Sequence, residues 1–111
     1  MRALAAAALA LAAAPAMAED AGPLLLLRFS CEDGRAVEAA FLHLGGTDVA
    51  LLAVDAAAPV LLTLAPSASG ARYTGAGLEW WGKGQEEATL SPLADGADLA
   101  AAPGVACRAL P

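Results

Sequence analysis

The chain has 111 residues, 59% of them hydrophobic, and a formal charge of −6 from six basic and twelve acidic residues. That balance excludes the basic footprint of a nucleic-acid binder. The single histidine excludes a histidine-rich metal site. One domain is the natural reading of this length, and the chain shows no internal repeat and no linker.

The first residues read as an export signal. Arg2 gives a minimal positive start, Ala3 to Ala14 an apolar run, and Ala16-Met17-Ala18 the small residues a signal peptidase needs before Glu19. The run falls short of the roughly 20 apolar residues that span a bilayer. A buried alanine-rich helix is the alternative. A lipid-anchored protein would carry cysteine directly after the cut, and Glu19 stands there. Residues 1–18 are therefore expected to be a signal peptide. Residues 19–111 should form one exported, periplasmic domain without a membrane anchor, carrying five basic and twelve acidic residues, net −7. Such a surface steers basic partners by long-range attraction, and it also simply keeps a small exported protein soluble.

Turn formers then recur at short intervals, from Glu32-Asp33-Gly34 to Asp95-Gly96. Between them lie Leu24–Cys31, Arg35–Leu44, Asp48–Val54, Val60–Ala65, Ala71–Thr74, Leu78–Trp81, Glu87–Ser91 and Val105–Leu110. Eight short segments at this spacing predict an antiparallel sandwich or barrel. One segment dissents. Val37, Ala40, Phe41 and Leu44 fall at helical spacing, and alanine is the best helix former. Isoleucine and asparagine are absent from the whole chain. A general composition bias therefore explains the alanine, and turn spacing carries more weight than propensity. Cys31 and Cys107, the only cysteines, read first as a disulfide in an exported protein, with two buried free thiols as the alternative.

Catalytic signatures are missing. Cys31 with His43 could be imagined as nucleophile and base, but a Cys31–Cys107 bridge removes the thiolate. His43 sits in an apolar run, where a strand residue is the ordinary reading. No glycine pattern follows a strand and opens a helix, so phosphate-cradling loops are absent too. The expectation is a protein that is not an enzyme and uses no cofactor or metal.

The distinctive stretch is residues 67–84, SASGARYTGAGLEWWGKG. It holds the only tyrosine (Tyr73), the only lysine (Lys83), both tryptophans (Trp80, Trp81) and five glycines. If Ala71–Thr74 pairs with Leu78–Trp81, the loop before the first strand and the loop after the second emerge together. Ser69 and Lys83 then project side by side, a donor pair suited to a carboxylate-lined cleft. Turn chemistry for the serine and a solvated hairpin tip for the lysine are the plainer alternatives.

The stretch resembles the MliC/PliC family, bacterial inhibitors of C-type lysozyme. The likeness rests on Ser69-Gly70-Ala71-Arg72-Tyr73, on Trp80-Trp81-Gly82-Lys83-Gly84, and on the Glu86 to Thr89 run behind them. Phe29-Ser30-Cys31, Asp33-Gly34 and the terminal Cys107 extend it over most of residues 19–111. The resemblance implies a small eight-stranded antiparallel β-barrel with one disulfide. It also implies that the two loops enter the cleft of a C-type lysozyme, commonly a basic enzyme. Ser69 and Lys83 would meet the enzyme's catalytic acids, with Gly70, Arg72 and Tyr73 beside them. Trp80 and Trp81 would support the loops, and core roles suit Tyr73 and both tryptophans equally well.

Two departures from the family pattern stand out. Trp80 replaces the usual phenylalanine. The Gln85-Glu86-Glu87-Ala88 run is one residue long, which points to a bulge or register change after Gly84. A monomer or weak homodimer is expected. Two rivals remain: a barrel that stacks a sugar or lipid on Trp80 and Trp81, and a structural envelope protein without a ligand. Against the first, strands this short predict a filled interior, although an eight-stranded barrel can hold one small ligand.

Overall fold

The computed structural model describes residues 24–100 and 102–111, and the expected signal peptide lies outside them. The order is β1 (Leu25–Cys31), β2 (Ala36–Leu44), β3 (Thr47–Val54), β4 (Val60–Ala65), β5 (Ala71–Gly75), β6 (Leu78–Lys83), β7 (Glu87–Pro92) and β8 (Val105–Ala109). Each strand pairs antiparallel with its sequence neighbour, and β8 returns to β1, which closes an eight-stranded barrel. The expected segments match these strands to within a residue or two. Closure leaves no open sheet edge.

Period-two alternation drives this outcome. Along β2, Val37 and Ala39 are buried while Ala36 and Glu38 are exposed, so the helical spacing of Val37, Ala40, Phe41 and Leu44 decides nothing. Pairing on both sides of β2 overrides the alanine propensity. The core gathers Phe29, Val37, Leu52, Leu62, Trp80 and Leu90. Trp80, 1% exposed, meets Phe29 edge-on at 4.8 Å between ring centroids. The extra bulk of its indole is accommodated because Ala39, Ala50 and Ala88, all buried, belong to the same cluster. Alanine at inward positions is thus where the composition bias and a large central ring fit one another.

The expectation of a filled interior requires correction. The centre is packed, but one end holds a cavity of about 180 Å³ lined by Leu25, Leu27, Phe41, Tyr73, Trp80 and Gly84, among others. Ala71, Gly82 and Ala88 also line it and are too small to fill that end. The opposite seam is short: β1 and β8 share three registered pairs, the last being Cys31 with Cys107. Those cysteines form a disulfide, as the even pair suggested. The expected bulge after Gly84 is not seen. Register runs unbroken from Leu78↔Pro92 to Lys83↔Glu87, and residues 84–86 form the turn that joins β6 to β7.

Candidate functional site

Strands β5 and β6 form a two-residue hairpin at Ala76-Gly77, with Gly75 opposite Leu78 and Ala71 opposite Gly82. At its far end the Pro66–Gly70 loop enters β5 and Lys83 closes β6. Lys83 Nζ donates to Ser69 Oγ at 3.2 Å, so the two expected side chains do meet. The Trp81 indole Nε1–H donates to the Ser69 carbonyl at 2.8 Å, and Lys83 Nζ lies 4.7 Å from the centre of the Trp81 ring. Ser67 Oγ donates to the Gly70 carbonyl at 3.1 Å, which ties off the loop. Gly70 is required for two reasons. Its φ is +69°, and a Cβ there would collide with the backbone carbonyl of Gly82.

The charge of Lys83 sets it apart. Arg28, Arg35, Arg72 and Arg108 each lie within ion-pair distance of a carboxylate, on Glu38, Asp33, Glu79 and Glu87 respectively. Among the described residues Lys83 is the one lysine or arginine without such a partner. It is also exposed. In a chain of net charge −6, an uncompensated ammonium beside a hydroxyl forms a local site for an external carboxylate.

The other expected site residues divide by face. Tyr73 points into the barrel, 5.5 Å from the Phe41 ring, and lines the end cavity. Burial pushes its phenol pKa above the ordinary value of 10.0, and the negative charge of Asp48 adds to the shift. Trp80 is core, whereas Trp81 lies on the outer face opposite Arg72 and Thr89. The two tryptophans therefore do not make one stacking platform, which removes the geometry that the sugar- or lipid-stacking rival needed. Arg72 is largely covered: its side chain is 11% exposed, with Nε donating to Glu79 Oε2 at 2.7 Å and Nη2 to the Asp98 carbonyl at 2.8 Å. Sequence reasoning missed Glu79 and residue 98 as its partners. The spacing of Glu79 and Trp81 puts both on one face of β6, but only the β5–β6 register brings Arg72 to them.

His43 lies at the end of β2, with Nδ1 2.7 Å from Asp48 Oδ1, both side chains exposed. Among the described residues no three His, Cys, Asp or Glu side chains converge as a metal site would need. Among the same residues no helix is long and apolar enough to cross a membrane.

The fold and the site together define a disulfide-stapled eight-stranded barrel that presents a serine–lysine pair on adjoining loops. By its match over residues 29–98 to the family model "membrane-bound lysozyme-inhibitor of c-type lysozyme", the chain belongs to the MliC family. It is 38% identical over 86 residues to a membrane-bound lysozyme inhibitor of C-type lysozyme from Cupriavidus necator, covering 77% of this chain and 66% of that protein. It is 35% identical over 80 residues to the Pseudomonas aeruginosa protein of the same name, covering 72% and 61%. The chain thus spans just under two thirds of each relative. The crystal structure of Pseudomonas aeruginosa MliC in complex with hen egg white lysozyme superimposes with a TM-score of 0.63 at 32% identity, over 79% of this chain and 83% of that one.

Proposed function

We propose that the protein is a non-catalytic, periplasmic inhibitor of C-type lysozyme that inserts the Ser69 and Lys83 loops into the enzyme's active-site cleft. The observation that carries this reading is the exposed ammonium of Lys83, held 3.2 Å from Ser69 Oγ and lacking a carboxylate of its own among the described residues. Lysozymes cleave glycans with two carboxyl groups flanking the scissile bond. A lysine is a compact point charge on a flexible stem, so it reaches between two acids where the planar fork of an arginine would need a matching surface. Ser69 adds a hydroxyl donor, Gly70 lets the loop lie close over β6, and Tyr73 and Trp81 shape the loops from the inner and outer faces. Membership of the family and the likeness to a structure solved with lysozyme support the same reading.

The deciding assay titrates residues 19–111 against a C-type lysozyme digesting bacterial cell walls. Stoichiometric loss of lysis is expected. Undiminished lysis with no complex on a sizing column would overturn the proposal and leave the structural-protein reading. The mature mass of periplasmic material checks the cut after Ala18.

A further inference from the structure

We infer that Arg72 is a positioning residue that acts through Trp81, and that residues 93–98, remote in sequence, thereby brace the Ser69 and Lys83 loops. Arg72 and Trp81 are registered neighbours on the outer face of β5 and β6, and Glu79 sits diagonally beside them, opposite Thr74. The guanidinium lies 5.9 Å from the centre of the Trp81 ring. It is itself fixed at two points, the Glu79 carboxylate and the Asp98 carbonyl. The Asp98 end belongs to a segment pinned where the Leu93 N–H donates to the Gly77 carbonyl at 2.9 Å, with Leu93 buried.

The ring held in this way does two things at the site. Its Nε1–H fixes the Ser69 backbone, and its face lies beneath the Lys83 ammonium. Among the described residues Arg72 makes hydrogen bonds to Glu79 and Asp98 and none to Ser69 or Lys83, and its own charge is already answered by Glu79. A direct ion pair from Arg72 to a partner's carboxylate would have to break that half of the brace. A planar guanidinium suits the role because it bonds a carboxylate and a carbonyl in its plane while offering a flat face to an indole. Held side chains lower the ordering cost of binding.

This inference rests on the loops being the binding surface, and the test separates the two. Removing Arg72 alone would strand the buried Glu79 charge, so the chosen variant is Arg72→Met with Glu79→Gln. Replacing a buried ion pair with neutral side chains is often tolerated by the fold. Amide and indole hydrogen exchange is followed by NMR in the full mature chain, where Trp81→Phe assigns the two indole signals. The Trp81 indole N–H should exchange about tenfold faster in the double variant, with that of Trp80 unchanged, since a coupled neighbour shifts a local equilibrium by such factors. Inhibition should weaken about tenfold in the parent background and less than about twofold further in the Trp81→Phe background, the non-additivity expected of residues acting in series. Arg72→Lys, which keeps the charge beside Glu79, should change both readouts in the same direction. Unchanged indole exchange in a folded variant overturns the inference even if inhibition fails for every form. Additive losses of inhibition overturn it too, because they would place Arg72 in direct contact with the partner.

Discussion

At the residue scale, Lys83 and Ser69 carry different kinds of contribution. A lysine buried between acids leaves those acids desolvated and unpaired when it is truncated, a loss of roughly 2–5 kcal/mol. Lys83→Ala should therefore weaken inhibition by about 30-fold to a few thousand-fold at 1.4 kcal/mol per decade. Lys83→Glu should be worse still, because it adds repulsion. Ser69→Ala removes a hydrogen bond to a charged group, worth roughly 1.5–3 kcal/mol. Since Lys83 has no carboxylate partner among the described residues, these changes should leave thermal stability almost untouched, which circular dichroism would verify. A folded Lys83→Ala that inhibits like the parent would exclude cleft insertion. Tyr73 gives an independent check on the barrel mouth. It is the only tyrosine, so phenolate absorbance reports it alone. Burial raises its pKa, so between the unfolded value near 10 and the higher folded value the native state holds the extra proton. Stability contributed by that group is complete below pH 10 and declines as pH rises through the folded pKa. A phenolate midpoint at that of free tyrosine would mean that the ring is not half-buried beside Phe41.

At the element scale, the β5–β6 hairpin decides what meets what. Its turn places Ala76 at φ +53° and Gly77 at φ +77°, the backbone of a two-residue turn that favours asparagine then glycine. An alanine held in the left-handed region costs about 1–2 kcal/mol. Ala76→Asn should recover about 1 kcal/mol, seen as a rise in melting temperature of some 4–8 °C for a domain this size. Inhibition should be unchanged, because the turn lies at the opposite end of the hairpin from Ser69. A fall in melting temperature would show that Ala76 contributes packing that asparagine cannot replace. This hairpin was legible in the sequence because glycines bracket it. The Ser69–Lys83 juxtaposition followed only if Ala71–Thr74 paired with Leu78–Trp81, with the family resemblance favouring it over plain turn chemistry. The brace behind it was not. Arg72 is separated from Glu79 by 7 residues and from Asp98 by 26 along the chain, and which of them share a face depends on register and on where residues 93–98 lie. Likewise, turn spacing predicted an antiparallel sandwich or barrel and the family resemblance singled out the barrel, but the end cavity arises from small side chains at Ala71, Gly82 and Ala88 meeting across strands. Composition alone cannot place such a coincidence.

For the whole molecule, closure and charge are the properties that no single strand has. The β1–β8 seam joins the two most distant strands through three registered pairs, and the disulfide at its end spans 76 residues. Cross-linking a loop of that length restricts the unfolded chain by roughly 4–5 kcal/mol on the entropic model. Replacing Cys31 and Cys107 with serine should lower stability by about that amount, read from urea unfolding with the slope fitted separately for each form, because the freed unfolded chain exposes more surface and steepens the slope. Charge works at longer range. Under the proposed function, the net −6 of the chain, or −7 without residues 1–18, would attract a basic enzyme before any loop is engaged. On the same proposal Lys83 would act only once the loop reaches the cleft. The two terms should separate kinetically. Raising salt from low to moderate concentration screens the long-range field beyond about 10 Å at 0.1 M, and should slow association while leaving dissociation nearly constant. Lys83→Ala should do the reverse, speeding dissociation with little change in association. Surface-binding kinetics on the parent and Lys83→Ala at two salt concentrations would resolve association and dissociation rates for each form in each condition. An association rate indifferent to salt would mean that the acidic surface serves solubility alone, and a Lys83→Ala defect confined to association would place the lysine outside the cleft.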